Sequence, residues 1–340
     1  MNRLRVVVLM GGMSAEREIS LRSGAKVLSA LDPARYEASA VDLAGIVSAR
    51  AADLAHLLFA STEGGGGCLD DAALRNGRPD IVFIALHGGA GENGTVQGML
   101  ELLGIPYTGS GVLASALAMN KIMSKKIFER EGIPTPRWVP LSAARRQGAA
   151  GLVLDSLGLP CVVKPACEGS TIGVTVVRDA SELDGAIDAA LCYGPEALAE
   201  EFIEGTEITG PVLGNDQPRV LPLVEIVPRG GFYDYEAKYT PGATEEIVPA
   251  RITEAQTQRA RQLTLEAHLA LGCRGISRVD MMVGKDDVYV LEVNSIPGLT
   301  ETSLVPRAAE AVGIAFPELV DRLIELGLEE RGGRESAGRA

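Results

Sequence analysis

Arg278-Val279-Asp280 and Glu292-Val293-Asn294 each set two polar residues two positions apart in an otherwise apolar run. In an extended strand, residues i and i+2 share a face. Each segment therefore presents a polar pair on one side and a valine on the other. An odd-length turn between them, such as Lys285-Asp286-Asp287, sets Asp280 opposite Glu292 and Arg278 opposite Asn294. Two carboxylates and an amide oxygen would then converge beside one guanidinium. Hard oxygen donors of this kind suit Mg²⁺, which keeps waters and substrate phosphates as its other ligands. The competing reading is a solvent-facing strand face with Asp280 salt-bridged to Arg278. Four such residues in register favour the metal.

A second group is basic. Lys121 lies far away in sequence, but Lys164 ends the apolar run PCVVKP and leads into Glu168-Gly169-Ser170-Thr171-Ile172-Gly173. Small residues let backbone N–H groups approach phosphate oxygens, and a lysine adds charge. The segment does not match the pattern GxxxxGK[ST], and an ordinary hairpin turn explains it equally well. Glu16 and His87 both follow apolar strands, at the edge where α/β sheets bind ligands. Glu16 could meet a substrate ammonium there, although a first-turn glutamate also simply complements the helix dipole. The loop FYDYEAKY at 232–239 holds three tyrosines, two acids and a lysine. It is apolar enough to close over a site and exclude water, or to be a packed surface loop.

The elements that must position these residues follow from periodicity. LRVVVLM at 4–10 reads as a strand buried on both faces, with Ser14 as N-cap of a helix ending near Leu31. IVFIAL at 81–86 leads through a glycine turn into the helix TVQGMLELL. Strand, turn and helix, repeated, indicate a doubly wound α/β domain. The Gly64–Gly67 run reads as a surface loop. From about 109 the pattern changes. One helix carries Asn120, Lys121, Lys125 and Lys126, and PCVVKP with VTVV at 174–177 suggests a hairpin. Strands near ALAEEFI, TEITGPVL and VLPLVEIV come next. A helix at about 253–271 places Ala260, Leu263, Ala267 and Leu271 on one face. ISRVDMMV and VYVLEVN end the core. The fold class is α/β, passing to α+β in the C-terminal part, and the tail EERGGRESAGRA reads as disordered.

The chain has 340 residues, enough for two or three domains, and 46% of them are hydrophobic. Its net charge of −13 argues against nucleic acid as a partner. Cys68, Cys161, Cys167, Cys192 and Cys273 show no paired spacing, which fits a reducing compartment and disfavours a disulfide frame or a zinc site. No apolar run reaches the roughly 20 residues of a membrane helix. The expectation is a cytoplasmic protein with no membrane association.

Taken together, GGMSAEREISLRSG, IALHGGAGENGTVQGMLELLGIPYTGSGVLASALAMNK, KPACEGSTIGV, FYDYEAKY, SRVDMM and LEVNSIPGLTETSLVP resemble the D-alanine–D-alanine ligase family, of the ATP-grasp fold. The likeness runs from about residue 5 to 325. It implies three domains: an N-terminal substrate-binding domain (1–108), a central lid domain (109–199) and a C-terminal catalytic domain (200–328), followed by the tail (329–340). It implies ATP as substrate, with Lys121, Lys164 and Lys238 at its phosphates, Glu200 and Glu207 at adenine and ribose, and Phe202 and Ile203 near the base. Asp280, Glu292 and Asn294 would bind two Mg²⁺ ions, for which Mn²⁺ could substitute. Glu16, with His87 nearby, would receive the ammonium of the first D-alanine. Ser170 and Tyr239 would fix the lid loops to Glu16. Arg278 and the Gly298 N–H would stabilise the oxyanion, and Ser303 and Leu304 would position the second D-alanine.

The likeness also implies a homodimer and a role in peptidoglycan synthesis. Lys238-Tyr239 resembles the peptide-forming branch rather than relatives that make a D-lactate ester. Two departures are visible: Cys167 stands where some relatives carry a basic residue, and Phe202 where some carry tryptophan. An ATP-grasp ligase with other substrates, or a nucleotide-binding regulator without catalysis, remain the alternatives.

Overall fold

The computed structural model describes residues 3–44, 78–230, 242–300 and 303–337. Among them the chain forms three sheets. In the first, β1 (Leu4–Met10) lies between β2 (Tyr36–Asp42) and β3 (Ile81–Ile84), all parallel. β1 and β3 are the apolar runs read from sequence. β2 carries no comparable sequence signature, because as an edge strand it is only partly buried and YEASAVD lacks an apolar run. The following helix starts at Arg17, later than expected, and Ser14 is not its cap. The Ser14 hydroxyl is engaged elsewhere: it donates to the His87 carbonyl at 2.5 Å and accepts from Glu16 N at 3.2 Å.

The single helix expected around Asn120 is two, Val112–Met119 and Lys121–Glu131. Asn120 separates them and caps the second, accepting from Met123 N at 3.0 Å. That is what a short polar side chain with extended backbone does best.

The second sheet is antiparallel, built from β4 (Trp138–Ser142), β5 (Cys161–Pro165), β6 (Thr175–Val177) and β7 (Glu196–Glu201) in the order β4-β7-β5-β6. The expected β5–β6 hairpin is therefore present. β7 runs to Glu201, so the boundary expected at 199 falls inside a strand of this sheet.

The third sheet contains β8 (Thr206–Gly214), β9 (Arg219–Val220), β10 (Val224–Pro228), β11 (Thr244–Ile247), β12 (Gly275–Val283) and β13 (Val288–Asn294). The helix Glu254–Ala270, opened by a Thr253–Gln256 capping box, covers one face. It buries Ala260, Leu263, Ala267 and the following Leu271 against Ile208, Val279, Met281 and Val290. Packing here is tight: a Cβ on Gly210 of β8 would lie 2.2 Å from Thr264 Oγ1. Gly210→Ala is expected to lower stability by about 1–3 kcal/mol, read as a reduced urea midpoint at unchanged slope.

The β12–β13 hairpin pairs Arg278 with Asn294 and Asp280 with Glu292, as the sequence predicts, but by another route. Val283 pairs with Val288 across a four-residue turn, Gly284–Asp287, not an odd one. An even turn alone would bury Glu292. The ladder shifts by one residue between Asp280 and Met281, an irregularity that inserts Leu291 as an extra residue in β13. Val290 and Val293, three apart, are thus both buried in the core, while Glu292 and Asn294 turn to the opposite face.

The helix Phe316–Ala337 returns to the first sheet: Leu319, Val320, Leu323 and Ile324 share a core with Val6, Val8 and Phe83. Its backbone is helical through residues 329–337, which corrects the expectation of a disordered tail there. Among the described residues, no helix is long and apolar enough to cross a membrane. The loop 232–239, with Lys238 and Tyr239, and also Gly64–Gly67 and Cys68, lie outside the described residues.

Candidate active site

Two cavities adjoin, with Glu292 and Gly169 in the walls of both. The larger, about 1190 Å³, opens between the second and third sheets. Lys121, Lys164, Glu200, Phe202, Ile203, Glu207, Asp280 and Glu292 all line it, so eight of the sequence-derived candidates share one space. The smaller, about 90 Å³, is lined by Glu16, His87, Ser170, Arg278, Asn294, Gly298, Ser303 and Leu304. Of the candidates, only Lys238 and Tyr239 have no described position.

Asp280 and Glu292 face the same way from paired strands. Asp280, 8% exposed, receives Arg278 Nε at 2.8 Å, Arg278 Nη2 at 2.7 Å and Thr209 Oγ1 at 2.6 Å. The salt bridge weighed as the alternative is thus present. It does not displace the metal reading, because each carboxylate oxygen has more than one lone pair. Glu292 Oε2 lies 3.0 Å from Lys121 Nζ, and Asn294 Oδ1 accepts from Ile296 N at 3.0 Å. Among the described residues, no group of three or more His, Cys, Asp or Glu side chains could hold a metal by itself. The set here is two carboxylates and an amide beside a large cleft. That sparse protein shell fits Mg²⁺, which shares its coordination sphere with phosphates.

Lys121 is buried and also donates to the Glu168 carbonyl at 2.5 Å. Burial works against its ammonium, but Glu292, together with Cys167 and Glu200, outweighs it and holds the pKa above the usual value. Glu200, 3% exposed, is held between two lysines. Lys164 contacts Oε1, and Lys125 Nζ lies 2.8 Å from Oε2. Burial pushes the Glu200 carboxyl up, and the two ammonium groups more than reverse this, leaving its pKa below the ordinary range.

In the smaller cavity, β1 and β3 are parallel neighbours, so the segments after them bring Glu16 and His87 together at one edge. Ser170 donates to Glu16 Oε1, which ties the loop after β5 to the N-terminal domain. Ser170 and Thr171 have φ of 51° and 61°, a left-handed backbone that side chains other than glycine rarely adopt. Such geometry concentrates at ligand clamps. Gly88 has φ of 68°, and a Cβ there would lie 2.9 Å from Glu16 Oε2, so this turn requires glycine on both counts. His87 Nε2 is 2.9 Å from Ser23 Oγ, and Nδ1 is 3.8 Å from Glu92 Oε1. Glu92 also lines this cavity, and burial raises its carboxyl pKa. Sequence reasoning passed over Glu92, although it follows His87 by five positions in the same glycine-rich turn.

Comparison with known families decides the affiliation. The model described as D-ala D-ala ligase N-terminus matches residues 5–110, and the model described as D-ala D-ala ligase C-terminus matches residues 127–325. The chain belongs to the D-alanine–D-alanine ligase family. A D-alanine–D-alanine ligase of Desulforudis audaxviator is 47% identical over 326 residues, covering 96% of this chain and 99% of that one. The crystal structure of the Bacillus anthracis D-alanine–D-alanine ligase complexed with ATP superposes with a TM-score of 0.80 at 36% identity, covering 98% and 100% of the two chains. The VanG D-Ala:D-Ser ligase of Enterococcus faecalis gives 0.78 at 30% identity over 96% and 100%.

The family gives the architecture its name: the second and third sheets form an ATP-grasp pair. The two departures noted in the sequence can now be placed within this ligase fold. Phe202 lies under the Arg178 guanidinium, 5.2 Å from its ring centroid, so a cation already covers this aromatic wall. Cys167 is exposed beside Lys121, which tends to lower its thiol pKa, but partial burial prevails and raises it.

Proposed function

We propose that this protein joins two D-alanine molecules, converting ATP to ADP and phosphate through a D-alanyl phosphate, and so supplies the dipeptide for peptidoglycan synthesis. The observation that carries this reading is the shared wall: Glu292 borders both a nucleotide-sized cleft and a small polar cavity. A phosphoryl group can therefore pass between ligands in the two cavities with little movement.

In this reading Lys121 and Lys164 neutralise phosphate charge, and Glu200, Glu207, Phe202 and Ile203 receive adenine and ribose. Asp280, Glu292 and Asn294 hold Mg²⁺, which when bound would offset charge on the transferring phosphoryl group. Glu16, with His87 beside it, accepts the first ammonium, which orients that carboxylate toward the cleft. Arg278 and the Gly298 N–H face the carbonyl oxygen as it becomes an oxyanion. Ser303 and Leu304 seat the carboxylate of the second D-alanine. The family resemblance assigns Lys238 to the transferred phosphate and Tyr239 to the Glu16–Ser170 latch. The reading extends to a cytoplasmic homodimer, for which light scattering is expected to give the mass of two chains.

The deciding experiment is ADP release with D-alanine, L-alanine, D-serine and D-lactate in parallel, with the product identified by mass. D-Alanine alone should give a dipeptide at high turnover. The likeness to a D-Ala:D-Ser ligase makes D-serine the informative second acceptor. Release that is independent of any D-amino acid, or faster with L-alanine, overturns the proposal. Ser170→Ala is expected to raise the KM for D-alanine about tenfold through loss of a charged hydrogen bond, with the KM for ATP changed less than about threefold. Steady-state kinetics on both substrates checks this.

A further inference from the structure

Lys125 is fully buried, carries a long cationic side chain, and has so far been given no role beyond its contact with Glu200. It lies one turn after Lys121 on the helix Lys121–Glu131, on the same side. Unlike Lys121 and Lys164, it does not line the cleft. Its ammonium sits behind Glu200, 2.8 Å from Oε2, and donates to Thr135 Oγ1 at 2.7 Å. Thr135 in turn donates to the Val290 carbonyl of β13 at 2.8 Å. Lys125 is thus fixed from the side away from the cleft, by backbone of the third sheet, and holds a carboxylate that belongs to the second.

The two lysines on Glu200 are not equivalent. Lys164 approaches Oε1 from the cleft, where a phosphate would compete for its charge. Lys125 approaches Oε2 from the interior, away from the cleft where a phosphate would sit. A buried carboxylate left with no cation takes up a proton, because desolvation penalises the charged form. Protonation changes what Glu200 offers a base. A carboxylate accepts from the exocyclic amine of adenine; a carboxylic acid can instead donate to the carbonyl oxygen of hypoxanthine or guanine.

We propose that Lys125 is a positioning residue for nucleotide choice: its ammonium, anchored through Thr135 to Val290, keeps Glu200 ionised and aimed at the base while Lys164 serves the phosphates. This rests on the reading that Glu200 meets the adenine. Lys125 acts only through Glu200 and touches neither nucleotide nor amino acid.

The test compares ATP with ITP, which replaces the amine by a carbonyl oxygen. Lys125→Met is expected to raise the KM for ATP by about 10- to 100-fold, the usual span for a lost hydrogen bond to a charged group. The KM for ITP should change less than about threefold, so the ATP/ITP preference collapses, and kcat at saturating nucleotide should stay within about threefold. A purely structural role would weaken both nucleotides alike, and that outcome overturns the proposal. Glu200→Gln separates the two layers. If it leaves the ATP/ITP preference intact, the assignment of Glu200 to the base is wrong, whatever Lys125 does. If it abolishes the preference and Lys125→Met does not, only the role of Lys125 falls.

Should Lys125→Met fail to fold, the same question is put in the Glu200→Gln background. Adding Lys125→Met there is expected to leave both KM values within about threefold of the single variant, and to recover melting temperature by removing an unpaired buried cation. A further tenfold loss in ATP binding would show that Lys125 acts independently of Glu200, and would overturn the inference.

Discussion

Glu292→Gln is expected to reduce D-alanine-dependent ADP release by about 10³-fold or more, the scale set by several kcal/mol of transition-state charge stabilisation at a metal-assisted phosphoryl transfer. The amide keeps the shape and the strand register but removes the negative charge. Asp280 opposite cannot replace it, since its own charge already belongs to the metal set and is shared with the Arg278 guanidinium. Lys121 would lose its ion pair with Glu292 but keep the Glu168 carbonyl, so the fold should survive with a modest fall in melting temperature. The measurement is coupled-enzyme turnover across a Mg²⁺ titration, with a thermal melt as control. Activity within tenfold of the parent at every Mg²⁺ concentration would remove Glu292 from the metal set.

Arg278→Ala is expected to lower kcat by about 10²–10³-fold, the typical cost of one oxyanion donor, with the KM for ATP altered less than about threefold. Arg278 also braces Asp280. If bracing were its only role, the variant would suffer from poor metal occupancy, and excess Mg²⁺ would restore the rate. If Arg278 meets the developing oxyanion, excess Mg²⁺ leaves kcat low. Arg278→Lys keeps the charge but loses the planar fork, so it should fall between parent and alanine variant. Recovery of Arg278→Ala at high Mg²⁺ would count against the oxyanion role.

Much of this site was legible before any coordinates. Period-two alternation placed Arg278, Asp280, Glu292 and Asn294 on one face, because a strand buried on one side leaves its sequence little choice. The route to that register was not legible. An extra residue at Leu291 offsets the even turn, and nothing in VYVLEVN marks where a strand will bulge. β2 is a related case, since a partly buried edge strand carries no apolar signature. The polar tail was misjudged because composition alone suggested disorder, whereas the helix entering it from Phe316 is already nucleated by burial of Leu319 and Leu323. Glu92 and Lys125 were invisible as a pair of roles. Each gains meaning only from a partner distant in space or hidden from the cleft: Glu92 from the Glu16 site it borders, Lys125 from Glu200. The lysines at 121 and 125 do share a helical face, and two cations on a buried face are a signal that can be sought in other sequences.

The wall that Glu292 and Gly169 share between the two cavities has a thermodynamic consequence. A ligand that changes the charge or position of that carboxylate from one side alters what the other side binds. Linkage makes the effect reciprocal: whatever factor the nucleotide imposes on amino-acid affinity, the amino acid imposes on the nucleotide. Dissociation constants measured for either ligand alone will therefore not multiply to give the affinity of the ternary complex. A substitution that tightens one ligand through this wall will alter the hold on the other.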